Sequence, residues 1–193
     1  MSLSETLKLL IIKDILNEIC HYMYDEGSTQ IQNLWKDNSS EELFAFFDLC
    51  IVSGILRTRK EPVANLRTTN AAYARPVFNA TMERDQFFQI LCVICFDDKT
   101  IRNQERSADK LAPIRDVFES TISRFQKAYT PNEHITNDEQ LVLFRGKCPF
   151  CVFIKSQPGK YGIKLWIAAD AQNFYACNMH VYTGKGDGVR DKK

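Results

Sequence analysis

Apolar residues recur at helical spacing through the first two-thirds of the chain and at alternate positions in the last third. Behind Ser2-Leu3-Ser4-Glu5, which has capping-box spacing, Leu7, Leu10, Ile11, Ile15, Ile19 and Met23 mark one face of a helix. Asp25-Glu26-Gly27-Ser28 is expected to end it. A second capping box, Ser39-Ser40-Glu41-Glu42, opens a segment from Leu43 to Leu56 so apolar that it predicts a helix buried on most sides. Arg57 to Ala80, with Pro62 and Pro76, reads as irregular. Thr81 is placed to cap a third helix, Met82 to about Phe96, and a charged loop is expected from Asp97 to Asp109. The fourth helix has the cleanest stripe: Leu111, Ile114, Phe118, Ile122 and Phe125 step by three and four. Pro113 is tolerated in its opening turn, and Tyr129-Thr130-Pro131 ends it.

After Pro131 the period shortens. Leu141–Phe144, Cys151–Ile154, Ile163–Ile167, Phe174–Ala176 and Met179–Tyr182 read as strands. Arg145-Gly146-Lys147, Gln157-Pro158-Gly159 and Asp170-Ala171-Gln172-Asn173 supply the turns. Connections this short predict an antiparallel meander. The expected class is therefore α+β, a mainly helical N-terminal region followed by antiparallel strands. The glycine- and lysine-rich residues from Gly184 onward are expected to form a loose tail.

A chain of 193 residues, 45% hydrophobic and 25% charged, is long enough for one ordinary domain or two small ones with a real core. No run of about 18 apolar residues suggests a membrane span, so no membrane partner is expected, and no secretory signal is evident. The seven cysteines are then expected to be reduced thiols. Charge is uneven: from Asp138 onward nine basic and five acidic residues give +4, against −3 for the rest. That excess fits a polyanion-facing C-terminal part, and a solvated surface explains it equally well.

Two Cys-x-x-Cys pairs, Cys92/Cys95 and Cys148/Cys151, raise the possibility of a four-thiolate zinc site. The first pair sits in an apolar helix, where cysteine behaves as a small hydrophobe, and the gap between the pairs is long for one finger. His21, His134 and His180 are scattered with no partner at useful spacing.

The segment from Tyr129-Thr130-Pro131 carries a distinctive series. It runs through Asp138-Glu139-Gln140-Leu141-Val142, Phe144-Arg145-Gly146, Lys155, Pro158 and Lys160-Tyr161-Gly162-Ile163-Lys164-Leu165-Trp166, then Tyr175 and Val181-Tyr182-Thr183-Gly184-Lys185. Over these residues the chain resembles the piggyBac transposase family, and the helical front resembles that family's helical region more loosely. The resemblance implies a helical dimerisation and DNA-binding region over 1–128. It implies the start of a ribonuclease H-like catalytic domain over 129–185, and a flexible tail over 186–193. It implies a DNA transposase acting at TTAA sites in the nucleus, with three aspartates holding two Mg²⁺ ions and with DNA and a second copy of the chain as partners.

The first of the three aspartates falls on Asp138, as catalytic and metal-binding residue; Glu139 reads as structural. Two metals stabilise the attacking and leaving oxygens of an in-line displacement, and one carboxylate does not organise them. The later acids, Asp170, Asp187 and Asp191, do not match the missing two, so the chain is expected to be truncated and inactive alone. Arg145, Lys155, Lys160 and Lys164, with Lys147, Tyr161 and Trp166 among them, are the implied DNA contacts, although core packing is the better reading of Trp166. Against these stand plainer readings: Asp138 as a solvated turn or strand-edge acid, and the lysines as an ordinary hairpin surface. The alternative function is a non-catalytic DNA-binding or protein-interaction module. Strands without covering helices would leave one face and one edge of the sheet exposed.

Overall fold

The computed structural model describes residues 13–31, 39–58, 61–70 and 72–184. The first expected capping box, at Ser2, and the tail beyond Gly184, with Asp187 and Asp191, lie outside them. The chain divides into two compact units, Met1–Asp98 and Lys99–Lys193.

The first unit is helical. Helix α1 (Lys13–Gln30) places Ile15, Leu16, Ile19 and Met23 in the core and packs on both α2 (Ser40–Ile55) and α5 (Arg84–Val93). It does not stop at Gly27 as its sequence suggests. Ser28 and Thr29 hydroxyls donate back to the Asp25 carbonyl at 3.0 and 2.9 Å, and Gly27 is buried inside the helix. The capping box at Ser39 forms as expected: the Glu42 amide donates to the Ser39 hydroxyl at 3.2 Å, and the Ser39 amide to Glu42 at 2.8 Å.

Helix α2 buries Leu43, Phe44, Phe46 and Leu49, with Phe47, Ile51 and Val52 half-buried, while Ile55 at its end is 65% exposed. The segment expected to be irregular holds two short helices, α3 (Val63–Leu66) and α4 (Pro76–Thr81). Thr81 ends α4, donating to the Val77 carbonyl at 2.7 Å, and so does not cap α5, which Glu83 precedes. Arg67, buried, donates to the carbonyls of Phe78 and Met82 at 3.1 and 2.5 Å and lies over the Phe87 ring.

The second unit begins with α6 (Arg102–Ala108), in the segment read as a charged loop. None of its residues is buried, so no apolar stripe betrays it. A 3-10 turn (Ala112–Ile114), containing Pro113, leads into α7 (Arg115–Ala128), and Asp109 ties the two by accepting from the Leu111 amide at 2.9 Å and pairing with Arg115.

Four strands follow: β1 (Ile135–Leu143), β2 (Val152–Phe153), β3 (Tyr161–Asp170) and β4 (Ala176–Val181). All pairings are antiparallel, and all are made to β3. Strand β1 pairs with it from Ile135↔Asp170 to Leu143↔Gly162. On the other edge, β2 takes its start (Phe153↔Tyr161) and β4 its later part (Leu165↔Val181), with an irregularity at Ala168/Ala169. The class is α+β, as expected, but the meander is corrected: β1 skips β2. With two residues, β2 offers too little ladder, whereas β3 matches β1 along its whole length.

Cross-strand partners share a face. One face therefore carries Asp138, Gln140 and Val142 of β1, Tyr161, Ile163, Leu165 and Ile167 of β3, and Phe153, Met179 and Val181. Helix α7 packs over β4, where Ile122 and Val181 are buried. The rest of the sheet is less covered. Ile163 to Ala169 are half-buried, and Val142, Leu143, Phe144, Phe153 and Tyr161 are exposed.

Candidate functional site

Strand β1 starts before the apolar run that revealed it, so Asp138 lies within a strand rather than in a turn, opposite Ile167. Its side chain is exposed, and Oδ1 accepts from the following amide of Glu139 at 2.7 Å. Its neighbours on that face are apolar or neutral. Among the described residues, no cluster of three or more His, Cys, Asp or Glu could hold a metal ion. The residues described therefore do not fit a two-metal site by themselves.

Asp170, the acid expected in a hairpin turn, is fully buried. Its Oδ2 accepts from the Tyr129 hydroxyl at 2.9 Å, the Asn132 amide at 2.7 Å and the Asn132 side chain at 2.9 Å. Its Oδ1 accepts from the amides of Gln172 and Asn173 at 2.8 and 3.3 Å. The Asn132 amide foremost, with the other donors, holds this carboxyl far below the usual carboxylate range against the burial that would raise it. Every lone-pair direction is committed, so Asp170 closes the β3–β4 turn onto the entry to β1 and is no ligand in waiting. The series Tyr129-Thr130-Pro131 that ends α7 thus also feeds this knot. Tyr175 adds to it, donating to the Phe125 carbonyl at 3.0 Å with its ring 4.6 Å from that of Tyr129.

Glu139, Lys164 and Trp166 occupy the face opposite Asp138. The Lys164 ammonium sits 2.6 Å from Glu139 and 4.2 Å from the centre of the Trp166 ring, with the Tyr182 ring at 5.6 Å. Trp166 is half-buried, so the core reading is corrected to a ring packed beneath a cation. Lys164 is likewise committed and half-buried, unlike the other basic candidates.

Arg145, Lys155 and Lys160, with Lys147, are exposed and lie in the loops at the end of the sheet where β1 stops and β2 turns into β3. The turns touch there, since Gly159 lies against the Leu143 side chain. From Asp138 to Leu143 the strand covers roughly 17 Å at its usual rise. Phe153 and Tyr161, paired across β2 and β3, stand at the same end, 63% and 54% exposed. The sequence places a turn at Gln157-Pro158-Gly159 between these two, and the structure starts the following strand at Tyr161 rather than Ile163.

A depression of about 680 Å³ lies in the helical unit beside Asn65, Asn70 and Tyr73, where Glu61 and Arg75 pair bidentately at 2.6 and 3.0 Å. It brings together none of the residues named above. Among the described residues no helix is long and apolar enough to cross a membrane.

The family model described as Transposase IS4 matches residues 4–193. Among solved structures, the cryo-electron microscopy structure of the piggyBac transposase synaptic complex with hairpin DNA superposes with a TM-score of 0.79. Identity is 31% over 95% of this chain and 39% of that one, so the chain spans about two-fifths of the solved transposase.

Proposed function

The chain belongs to the Transposase IS4 family and is piggyBac-like in sequence and fold, and from that premise we propose that it serves cut-and-paste DNA transposition at TTAA sites in the nucleus. In this reading residues 1–128 form a helical region for dimer and DNA contacts. Residues 129–185 open the catalytic domain. Asp138 contributes one carboxylate to a Mg²⁺ site, and Arg145, Lys155 and Lys160 neutralise DNA phosphates, with Lys164 in a supporting place behind them. Mg²⁺, when bound by a full set of carboxylates, supplies charge stabilisation to the attacking and leaving oxygens. One carboxylate is too few for that, so the chain alone binds DNA without cutting it.

The observation that carries the reading is the contrast between two aspartates of one sheet. Asp170 is buried and saturated with donors, whereas Asp138, in the family's motif, is exposed and takes part in no ion pair among the described residues. The exposed basic turns support the DNA part. The exposed apolar residues Phe153 and Tyr161 favour a second reading, a non-catalytic interaction module in which this end of the sheet meets a protein instead.

Anisotropy of a labelled duplex, with and without TTAA, tests the binding. Affinity should fall steeply between about 50 and 200 mM salt, and each lost phosphate contact should flatten the logarithmic slope by roughly 0.9. Replacing Arg145, Lys155 and Lys160 together by Ala should therefore reduce it by about 2–3. Absence of binding at the lowest salt would overturn the DNA reading. Mg²⁺-dependent strand cleavage that disappears in Asp138→Ala would overturn the claim that the chain alone is inactive.

A further inference from the structure

The two Cys-x-x-Cys pairs share a spacing and differ in their surroundings. Cys92 is exposed on α5, whereas Cys95 is buried beyond its end with its sulfur against the Asp97 carbonyl at 3.2 Å. The thiols of that pair are thus divided between solvent and core. Cys148 and Cys151 are equivalent in exposure, both half-buried, and occupy one turn between β1 and β2.

The Cys151 amide donates to the Cys148 carbonyl at 3.4 Å, which closes a four-residue turn with Pro149 in the position where its fixed φ is favourable. Such a turn keeps its first and last Cα atoms within about 7 Å, and a disulfide spans Cα separations of about 4.4–6.8 Å. The turn's own backbone bond thus holds the two cysteines within the range a disulfide needs. All seven cysteines are free thiols in the structure.

We propose that Cys148 and Cys151 form a reversible dithiol–disulfide site, oxidised by a low-molecular-weight disulfide of the glutathione type, which would staple the turn between β1 and β2. The reaction runs in two exchanges. The Cys148 thiolate attacks one sulfur of the oxidised glutathione, forming a mixed disulfide and releasing one glutathione thiolate. Cys151 then gives its proton to solvent and attacks the Cys148 sulfur, and the second glutathione thiolate leaves. The chain loses two electrons and two protons, and one glutathione disulfide becomes two glutathione thiols.

The order follows from the surroundings. Burial, and then the hydrogen bond with Cys148, push the Cys151 thiol up, so it keeps its proton for the second exchange. The bridge would close only a short loop, so its effect is local: it fixes the loop that also carries Arg145 and Lys147.

The full chain, incubated in glutathione redox buffer and then alkylated, tests this by peptide mass. Tryptic cleavage after Lys147 and Lys155 isolates both cysteines in the peptide 148–155. After oxidation that peptide should be about 2 Da lighter and carry no alkyl group, and reduction should restore two alkylation sites. Cys151→Ser should stop at a single glutathione adduct on Cys148. The same incubation in urea should slow closure relative to the folded chain, since the turn is lost. The proposal is overturned if the peptide takes two alkyl groups after oxidation, if it accumulates two glutathione adducts, or if the unfolded chain closes the bridge as fast as the folded one.

Discussion

Gly162, in the Lys160-Tyr161-Gly162 motif, is the glycine whose replacement tests the sheet most directly. It is buried in β3 opposite Leu143, and a Cβ built there would meet the Val142 carbonyl oxygen at 2.2 Å, its carbon at 2.8 Å and the Leu143 Cα at 3.0 Å. Ordinary contact begins near 3.4 Å, so the shortfall is roughly 1.2 Å. The obstacle is backbone, which no rotamer change removes. In Gly162→Ala the end of β1 must draw back, loosening about two ladder hydrogen bonds at a net 0.5–1.5 kcal/mol each. That agrees with the usual overpacking cost of about 1–3 kcal/mol.

The smaller conformational entropy of unfolded alanine offsets about 0.4–1 kcal/mol, leaving a net loss of about 1–2 kcal/mol. Gly54 supplies the control, since a Cβ at that helical position has nothing within 4 Å. Gly54→Ala should stabilise by about 0.4–1 kcal/mol. Thermal unfolding should then show a Tm lowered by about 5–15 °C for the sheet unit in Gly162→Ala, with faster amide exchange at Val142 and Leu143. If the two substitutions stabilise alike, the close approach of β1 to β3 is not what requires glycine at 162.

Three further outcomes follow from the same geometry. Ser39→Ala removes the hydroxyl that accepts from Glu42 and should cost about 1 kcal/mol in urea unfolding, with α2 fraying first by amide exchange. Asp170 has a lowered folded-state pKa, so its stabilisation is fully present above the ordinary aspartate value near 3.9 and fades as pH falls below it. Acid unfolding should therefore steepen below about pH 4, and Asp170→Asn should be less stable at neutral pH with a flatter acid limb. Lys164→Met and Glu139→Gln should show coupling of about 0.5–1 kcal/mol in a double-mutant cycle, weakened by salt because both side chains keep some solvent contact, and Lys164→Met should alter Trp166 emission.

Features set by neighbours in sequence were readable from the chain. The Ser39–Glu42 cap involves residues three apart, and the Ile122 stripe of α7 reflects a face that the sheet buries. Features set by distant contacts were not. Nothing near Asp170 announces that Tyr129 and Asn132, some forty residues earlier, will surround it. The helix over 102–108 has no buried side to leave a period, and the order of the strands depended on the length of a two-residue strand. Asp138 was legible as a motif residue and, in its plainer reading, as a solvated strand-edge acid; the commitment of Lys164 to Glu139 was not. A cation's sequence neighbours do not reveal whether a carboxylate lies across the next strand.

The position of β3 has a consequence for synthesis on the ribosome. Because β1, β2 and β4 pair only with β3, none of them has a partner until residues 161–170 emerge. Roughly 27 residues separate Leu143 from Asp170, and at about 5–20 residues per second their translation takes about 1–5 s. During that interval β1, with Val142, Leu143 and Phe144 at its end, is complete and unpaired. The nascent chain is then most open to a chaperone that binds extended apolar segments, and synonymous codons that slow translation between residues 144 and 160 should lengthen the exposure without altering the finished protein.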